Sequence, residues 1–334
     1  MNIDDLSIEQ LAGQRLMVGF EGKRFNQDLK FLIRDLRVGG LILFSQNAET
    51  PAQLRKLCDA VQEYARLNKL PPLIIAIDQE GGQVARLKAP FSQFPGNPAM
   101  KDVKDAIHFA ETTAAELTQA GINMNLAPVV DVAPLEIPSI MSERAFGDDP
   151  KWVSKMGLTI ITHLQQRNIM AVAKHFPGIG RTIADSHIDL PACEHGLTEL
   201  KACDLIPFAD SIANGVAGIM LSHVIYPKID SQWPASLSKQ IAQTLLRDHM
   251  RFPGVSITDD LDMGAIKKHY DIRTAIRRIL GAGIDMALIC HKGPDIEVAY
   301  QEILDSLGRS GDIKSMGMAS VKRIMALKRK YLVA

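Results

Sequence analysis

The stretch Lys174-His175-Phe176-Pro177-Gly178-Ile179-Gly180, followed by Asp185-Ser186-His187, gathers two histidines, a lysine and a carboxylate within 14 residues. Asp185 and His187 stand two apart in loop sequence, and in extended backbone such residues point to the same side. The carboxylate can then accept a hydrogen bond from the imidazole, fix its tautomer and favour its protonated form. That arrangement suits proton donation to a leaving group and later activation of water; a solvated surface histidine is the alternative. Asp259 closes the apolar run Gly254-Val255-Ser256-Ile257-Thr258. A carboxylate so placed can act as a nucleophile or stabilise a cationic transition state, or Asp259, Asp260 or Asp262 can cap the helix that follows. Asp78, Arg86, Arg144, Lys174 and His175 add donors and acceptors suited to several hydroxyl groups at once. Each arginine taken singly also fits a surface ion pair.

These groups need rigid elements behind them. Eight apolar segments read as strands, at 16–20, 40–44, 73–77, 124–127, 170–173, 218–221, 255–258 and 285–289. Amphipathic stretches at 51–67, 153–166, 197–213, 238–249 and 272–281 read as helices. Thr50-Pro51 supplies a cap and a first-turn proline, and Gly281 a stop. Strands alternating with helices imply a parallel sheet covered by helices, either a closed barrel or an open doubly wound sheet. Polar groups favour the barrel, because Asp78, Lys174-His175, His223 and Asp259-Asp260 each follow a strand, and barrel sites form at the carboxyl ends of strands. The expected fold is α/β, a (β/α)8 TIM-type barrel in which residues 1–334 form one domain. Helices at 294–307 and 313–332 would complete its outer ring.

Composition narrows the function. Lys plus Arg and Asp plus Glu number 38 each, so no net positive field draws the chain to nucleic acid or anionic lipid. The start lacks a secretory pattern, and no apolar run reaches the roughly 18 residues a bilayer span needs. Cys58, Cys193, Cys203 and Cys290 show no zinc-type spacing and are expected as buried free thiols of a cytoplasmic protein. The Gly178-Ile179-Gly180 triplet fails as a dinucleotide fingerprint because Ile183 stands at the third glycine position, and no phosphate-loop, HExxH or GxSxG motif occurs. No metal or cofactor is expected, and the ligand should be a small neutral or mixed-charge molecule.

The segments Ile77-Asp78-Gln79-Glu80-Gly81-Gly82-Gln83-Val84-Ala85-Arg86-Leu87, Arg144-Ala145-Phe146-Gly147, Lys174-His175-Phe176-Pro177-Gly178, Asp185-Ser186-His187 and Thr258-Asp259-Asp260-Leu261 resemble the ordered motifs of glycoside hydrolase family 3. The chain is similar, from about Leu11 onward, to the bacterial β-N-acetylglucosaminidases of peptidoglycan recycling. The resemblance implies Asp259 as a nucleophile forming a covalent glycosyl-enzyme with retention, His187 as acid/base and Asp185 as its partner. It also implies Asp78, Arg86, Arg144, Lys174 and His175 as sugar ligands. The implied substrate is a non-reducing terminal β-linked N-acetylglucosamine of a peptidoglycan fragment, handled by a monomer. A histidine acid leaves less negative charge near the leaving group than a second carboxylate would, so phosphorolysis stands as an alternative to hydrolysis. Ile179 replaces the second histidine of the usual KHFPGHG, Ala145 a serine and Asp262 a small polar residue; a sugar-binding barrel without catalysis is the third reading.

Overall fold

The computed structural model describes residues 6–183, 185–186 and 188–333. Eight parallel strands close into a barrel: β1 Leu16–Val18, β2 Gly40–Leu43, β3 Ile74–Ile77, β4 Met124–Asn125, β5 Met170–Phe176, β6 Gly218–Leu221, β7 Val255–Asp260 and β8 Met286–Ile289. Each pairs with its neighbour in sequence, and β1 completes the ring on β8 through Leu16 opposite Ala287 and Val18 opposite Ile289. The expected (β/α)8 barrel is therefore the observed fold.

The alternation of strand side chains sorts the core into two layers. Ile74 and Ala76 of β3, Met170 and Val172 of β5, Val255 and Ile257 of β7, and Met286 and Leu288 of β8 fill the barrel interior. Their neighbours Ile75, Ile77, Ala171 and Ala173 pack against the surrounding helices. The helix Gly311–Leu332 sends Ile324 and Leu327 into the interior cluster and so closes the amino-terminal end of the barrel. At the other end the same two-residue period brings Asp78, Lys174 and Asp259 to the next inward positions of β3, β5 and β7.

Several element ends differ from the sequence reading. β5 runs to Phe176 and β7 to Asp260, so Lys174, His175 and Asp259 belong to strands rather than to the loops after them. The stretch 197–213 forms two helices, Leu197–Ala202 and Leu205–Ala213, because the backbone turns out of helical geometry at Cys203. The break lets Asp204 face inward, where it is buried against Arg181. Helix Pro150–Gln166 begins three residues before the expected start, with Asp149 accepting from the Lys151 N–H. Gln240–His249 winds as a π-helix, its end marked by the Met250 N–H reaching the Leu245 carbonyl. A short hairpin of Gln79–Gly81 with Val84–Ala85 follows β3, and helix Val103–Ala120 leads to β4. Thr50 caps Pro51–Leu67 by accepting from Gln53, and Ile272–Gly281 ends at the expected glycine. Three of the four free cysteines are buried and Cys203 is half-buried. No helix among the described residues is long and apolar enough to cross a membrane.

The β1–β8 seam depends on close backbone approach. Gly19 donates to the Ile289 carbonyl at 2.8 Å, and a Cβ added to it would meet the Cys290 carbonyl oxygen at 1.8 Å. Gly19→Ala is expected to destabilise the fold by about 3 kcal/mol or more, as overpacking against backbone does. Urea unfolding checks this, and an unchanged midpoint would mean that the seam yields freely.

Candidate active site

A cavity of about 400 Å³ opens at the carboxyl end of the strands. That lies within the range of roughly 300–1,000 Å³ usual for small-molecule sites. Its floor includes Leu126, Met220 and Leu288, and its polar wall brings together Asp78, Arg86, Arg144, Lys174, His175 and Asp259. Six of the eight residues singled out in the sequence thus line one cavity. Asp185 and Ser186 lie on the loop after β5; His187 lies outside the described residues.

Lys174 organises the wall. Its Nζ lies 2.7 Å from Asp78 Oδ1 and 2.6 Å from Glu80 Oε1, with its side chain only 2% exposed. Arg144 grips the same Glu80 with two parallel bonds, Nε to Oε2 at 3.0 Å and Nη2 to Oε1 at 2.7 Å. Burial opposes the charge on Glu80, but Lys174 and Arg144 outweigh it and hold the carboxyl at about 2. Burial likewise opposes the charges on Lys174 and Arg144, yet Asp78 and Glu80 keep the lysine, and chiefly Glu80 the arginine, more firmly protonated than usual. Two of three lysine N–H bonds and two of five guanidinium N–H bonds are committed to these partners, leaving donors for a ligand. Arg86 approaches Asp78 at 3.7 Å and lies over the Phe44 ring, 5.3 Å from its centre.

His175 is held from behind. Its Nδ1 lies 2.8 Å from Asp131 Oδ2, its backbone N–H also donates to that carboxylate, and Nε2 faces Arg144 Nη2 at 3.5 Å. The Lys174–His175 and Phe176–Pro177 peptide bonds are cis. Gly178 has φ +121°, and a Cβ there would meet the Cβ of Asp204 at 2.5 Å, so the motif's glycine is required on both counts.

Asp259 faces this wall from β7. Its Oδ1 accepts the Asp260 N–H at 2.8 Å, and among the described residues no cation lies within ion-pair distance of it. Burial works against its ionisation, but the fields of His175, His223 and Lys174 and that backbone bond hold its pKa below the usual aspartate value. The carboxylate is therefore charged at neutral pH, partly exposed, and not neutralised by direct contact.

Asp260 and Asp262 do not cap the next helix, Gly264–Lys267, whose cap position is Met263. They reach across to β8 instead. Asp260 Oδ1 accepts from Cys290 N–H at 3.0 Å, and Asp262 Oδ2 accepts from His291 N–H at 2.8 Å. Burial raises the Asp260 carboxyl to about 6. Asp260, Asp262 and His291 bring ligand atoms within 4.8 Å of one another, but Lys267 Nζ already sits 2.5 Å from Asp262 Oδ1 and supplies the positive charge. His223, the remaining strand-end group, bonds Ser236 Oγ at 2.6 Å and the Asp260 carbonyl at 2.9 Å, which makes it a support behind β7.

Glu80 and Asp131 escaped the sequence reading as site residues. Glu80 follows Asp78 by two positions in the motif, and Asp131 is a lone acid in the apolar run 127–133; each signals a buried carboxylate in need of donors. Ile179 is buried in the core, and its N–H donates to Asp131 Oδ1 at 2.8 Å, so the departure at this position leaves the cavity wall unchanged. Ala145 is buried as well.

Residues 5–327 match the model of the glycosyl hydrolase family 3 N terminal domain. The chain belongs to glycosyl hydrolase family 3. It is 35% identical over 288 residues to a β-hexosaminidase of Pseudomonas aeruginosa, covering 85% of this chain and 84% of that one. A Nitrosomonas eutropha β-hexosaminidase is 35% identical over 301 residues, covering 87% and 84%. Among solved structures, the family 3 β-N-acetylglucosaminidase from Paenibacillus sp. str. FPU-7 superposes with a TM-score of 0.93 at 35% identity over 98% of this chain, which spans 63% of the Paenibacillus chain. NagZ from Neisseria gonorrhoeae, solved with N-trifluoroacetyl-D-glucosamine, gives 0.75 at 26% identity, covering 94% of this chain and 98% of that one.

The ion network sets a pH signature. Glu80 lies at about 2 in the folded state against about 4.3 unfolded, so its contribution is complete above the unfolded value and fades as pH falls toward 2. Glu80→Gln is expected to cost on the order of 3 kcal/mol near neutrality by leaving Arg144 without its carboxylate and Lys174 with Asp78 alone. The gap from wild type should shrink as urea unfolding is repeated from pH 6 down to pH 3; a gap constant with pH would contradict the network.

Proposed function

We propose that the chain is a retaining, exo-acting β-N-acetylglucosaminidase that removes non-reducing terminal N-acetylglucosamine from peptidoglycan fragments. One observation carries the reading: a partly exposed, ionised Asp259 opposes a wall of preorganised donors and acceptors across a cavity closed below by apolar side chains. The β-hexosaminidase names of the relatives and the sugar derivative held by NagZ support the choice of glycan.

In this reading an oxygen of Asp259 attacks the anomeric carbon while the glycosidic C–O bond breaks. The His187 imidazolium gives its proton to the departing oxygen, with Asp185 favouring the charged ring. Water then attacks the same carbon and passes a proton to His187. The bond to Asp259 breaks, so two inversions yield retention. Asp78, Arg86, Arg144, Lys174 and His175 hold the sugar hydroxyls, and their fixed charges need no reorganisation as the cationic transition state forms. Among the described residues no cation pairs directly with Asp259, which leaves its electrons available to the anomeric carbon. The protein acts as a cytoplasmic monomer on small glycans without metal or cofactor.

Asp259→Asn should lower kcat/KM by on the order of 10⁴-fold or more for every substrate. His187→Ala should lower it by about 10²–10⁴-fold for a disaccharide but little for an aryl glycoside with a good leaving group, which needs little protonation. Steady-state kinetics from pH 5 to 8 with both substrates decides, and equal losses with His187→Ala would remove its role as acid. Product analysis in phosphate buffer should return free N-acetylglucosamine with the β configuration; accumulation of sugar 1-phosphate would replace hydrolysis by phosphorolysis.

A further inference from the structure

The loop that carries Asp185 and His187 is fastened at both ends. On the incoming side, Arg181 pairs with the buried Asp204, and the Ile140 N–H donates to the Thr182 carbonyl at 3.2 Å. On the outgoing side, the Ile225 N–H donates to the Pro191 carbonyl at 2.9 Å and the Cys193 N–H to the Ile225 carbonyl at 2.8 Å. Between these anchors two contacts come from a different unit of the barrel, the segment that follows β7. The Ala265 N–H donates to the Ser186 carbonyl at 3.0 Å, and His269 Nε2 lies 2.5 Å from Asp189 Oδ1. Ser186 immediately precedes His187, and Asp189 follows it by two residues. Ala265 and His269 stand six and ten residues beyond Asp259 on the same βα unit.

We infer that His269 is a positioning residue, latching the acid/base loop through Asp189 to the unit that holds the nucleophile. The inference rests on the proposed roles of Asp259 and His187. A backbone bond at Ser186 and a side-chain bond at Asp189, one on either side of position 187 in the sequence, tie this loop to the segment that follows the nucleophile. Both latch side chains are solvent-exposed, 40% for His269 and 65% for Asp189, so removing the contact leaves the core untouched.

The test uses the full chain and compares kcat/KM for an N-acetylglucosaminyl disaccharide with that for an aryl N-acetyl-β-glucosaminide bearing a good leaving group. His269→Ala should lower the disaccharide value about two- to fivefold, the scale of an exposed ion pair, and leave the aryl value unchanged. His269→Gln, which keeps an N–H donor for Asp189, should recover most of the loss, and Asp189→Ala should reproduce it. A merely structural role would lower both substrates together, and that outcome or no loss at all overturns the latch. His187→Ala run alongside separates the two ideas. If it discriminates between the substrates and His269→Ala does not, the latch alone fails; if it does not discriminate, the acid assignment falls and the latch with it.

Discussion

The buried ion cluster of Lys174 with Asp78 and Glu80, extended by Arg144 on Glu80, is the interaction around which the mouth of this barrel is built. Moving an isolated ammonium or carboxylate out of water costs several kcal/mol, and only well-placed partners offset that. Here each buried charge meets an opposite one within 3 Å, and the partners come from the residue after β3, the hairpin that follows, β5 and the segment after β4. The cluster therefore joins the units of one half of the barrel while keeping donors on the cavity wall. Asp259, on the opposite side, has no direct cationic partner among the described residues. That asymmetry, paired charge on one wall and a carboxylate without a described cationic partner on the other, matches the division between sugar-binding groups and nucleophile that the proposed function assigns.

Much of this was legible in the sequence because strand alternation and strand-end chemistry are local. Inward positions such as Met170 and Val172, or Val255 and Ile257, are followed two residues later by Lys174 and Asp259, so the same period that builds the core delivers the polar groups to the cavity. What escaped were features set by contacts distant in sequence. The β5 and β7 strands run past their apolar residues because hydrogen bonds to the barrel neighbours continue there, with the Val130 and Ser222 N–H groups donating to the Lys174 and Phe176 carbonyls and the Leu261 N–H to the Leu288 carbonyl, which no local propensity reveals. The helix expected over 197–213 breaks at Cys203 because Asp204 is drawn to Arg181. Asp260 and Asp262, which read as helix caps, serve backbone groups just after β8 that are 30 and 29 residues away. Glu80 and Asp131 read in the sequence as carboxylates in need of donors, but which donors meet them is set by Arg144, Lys174 and His175, distant in sequence.

The departures from the family motif also make sense at this level. Ile179 turns into the apolar layer while its backbone, not its side chain, serves Asp131 and hence His175. Asp262 gains Lys267 and the β8 backbone as partners, so the added charge is balanced where it arises. Neither change touches the wall that Lys174 organises.

In the proposed function Asp259 is the carboxylate that bonds the anomeric carbon. Incubating the protein with a fluorinated N-acetylglucosaminyl fluoride, which forms a glycosyl-enzyme readily and releases it slowly, and mapping the labelled peptide by mass spectrometry tests this directly. The expected result is one added sugar per chain, located on Asp259 and absent from Asp259→Asn. A label on another residue, or full turnover with no covalent species while activity is retained in Asp259→Asn, would contradict it.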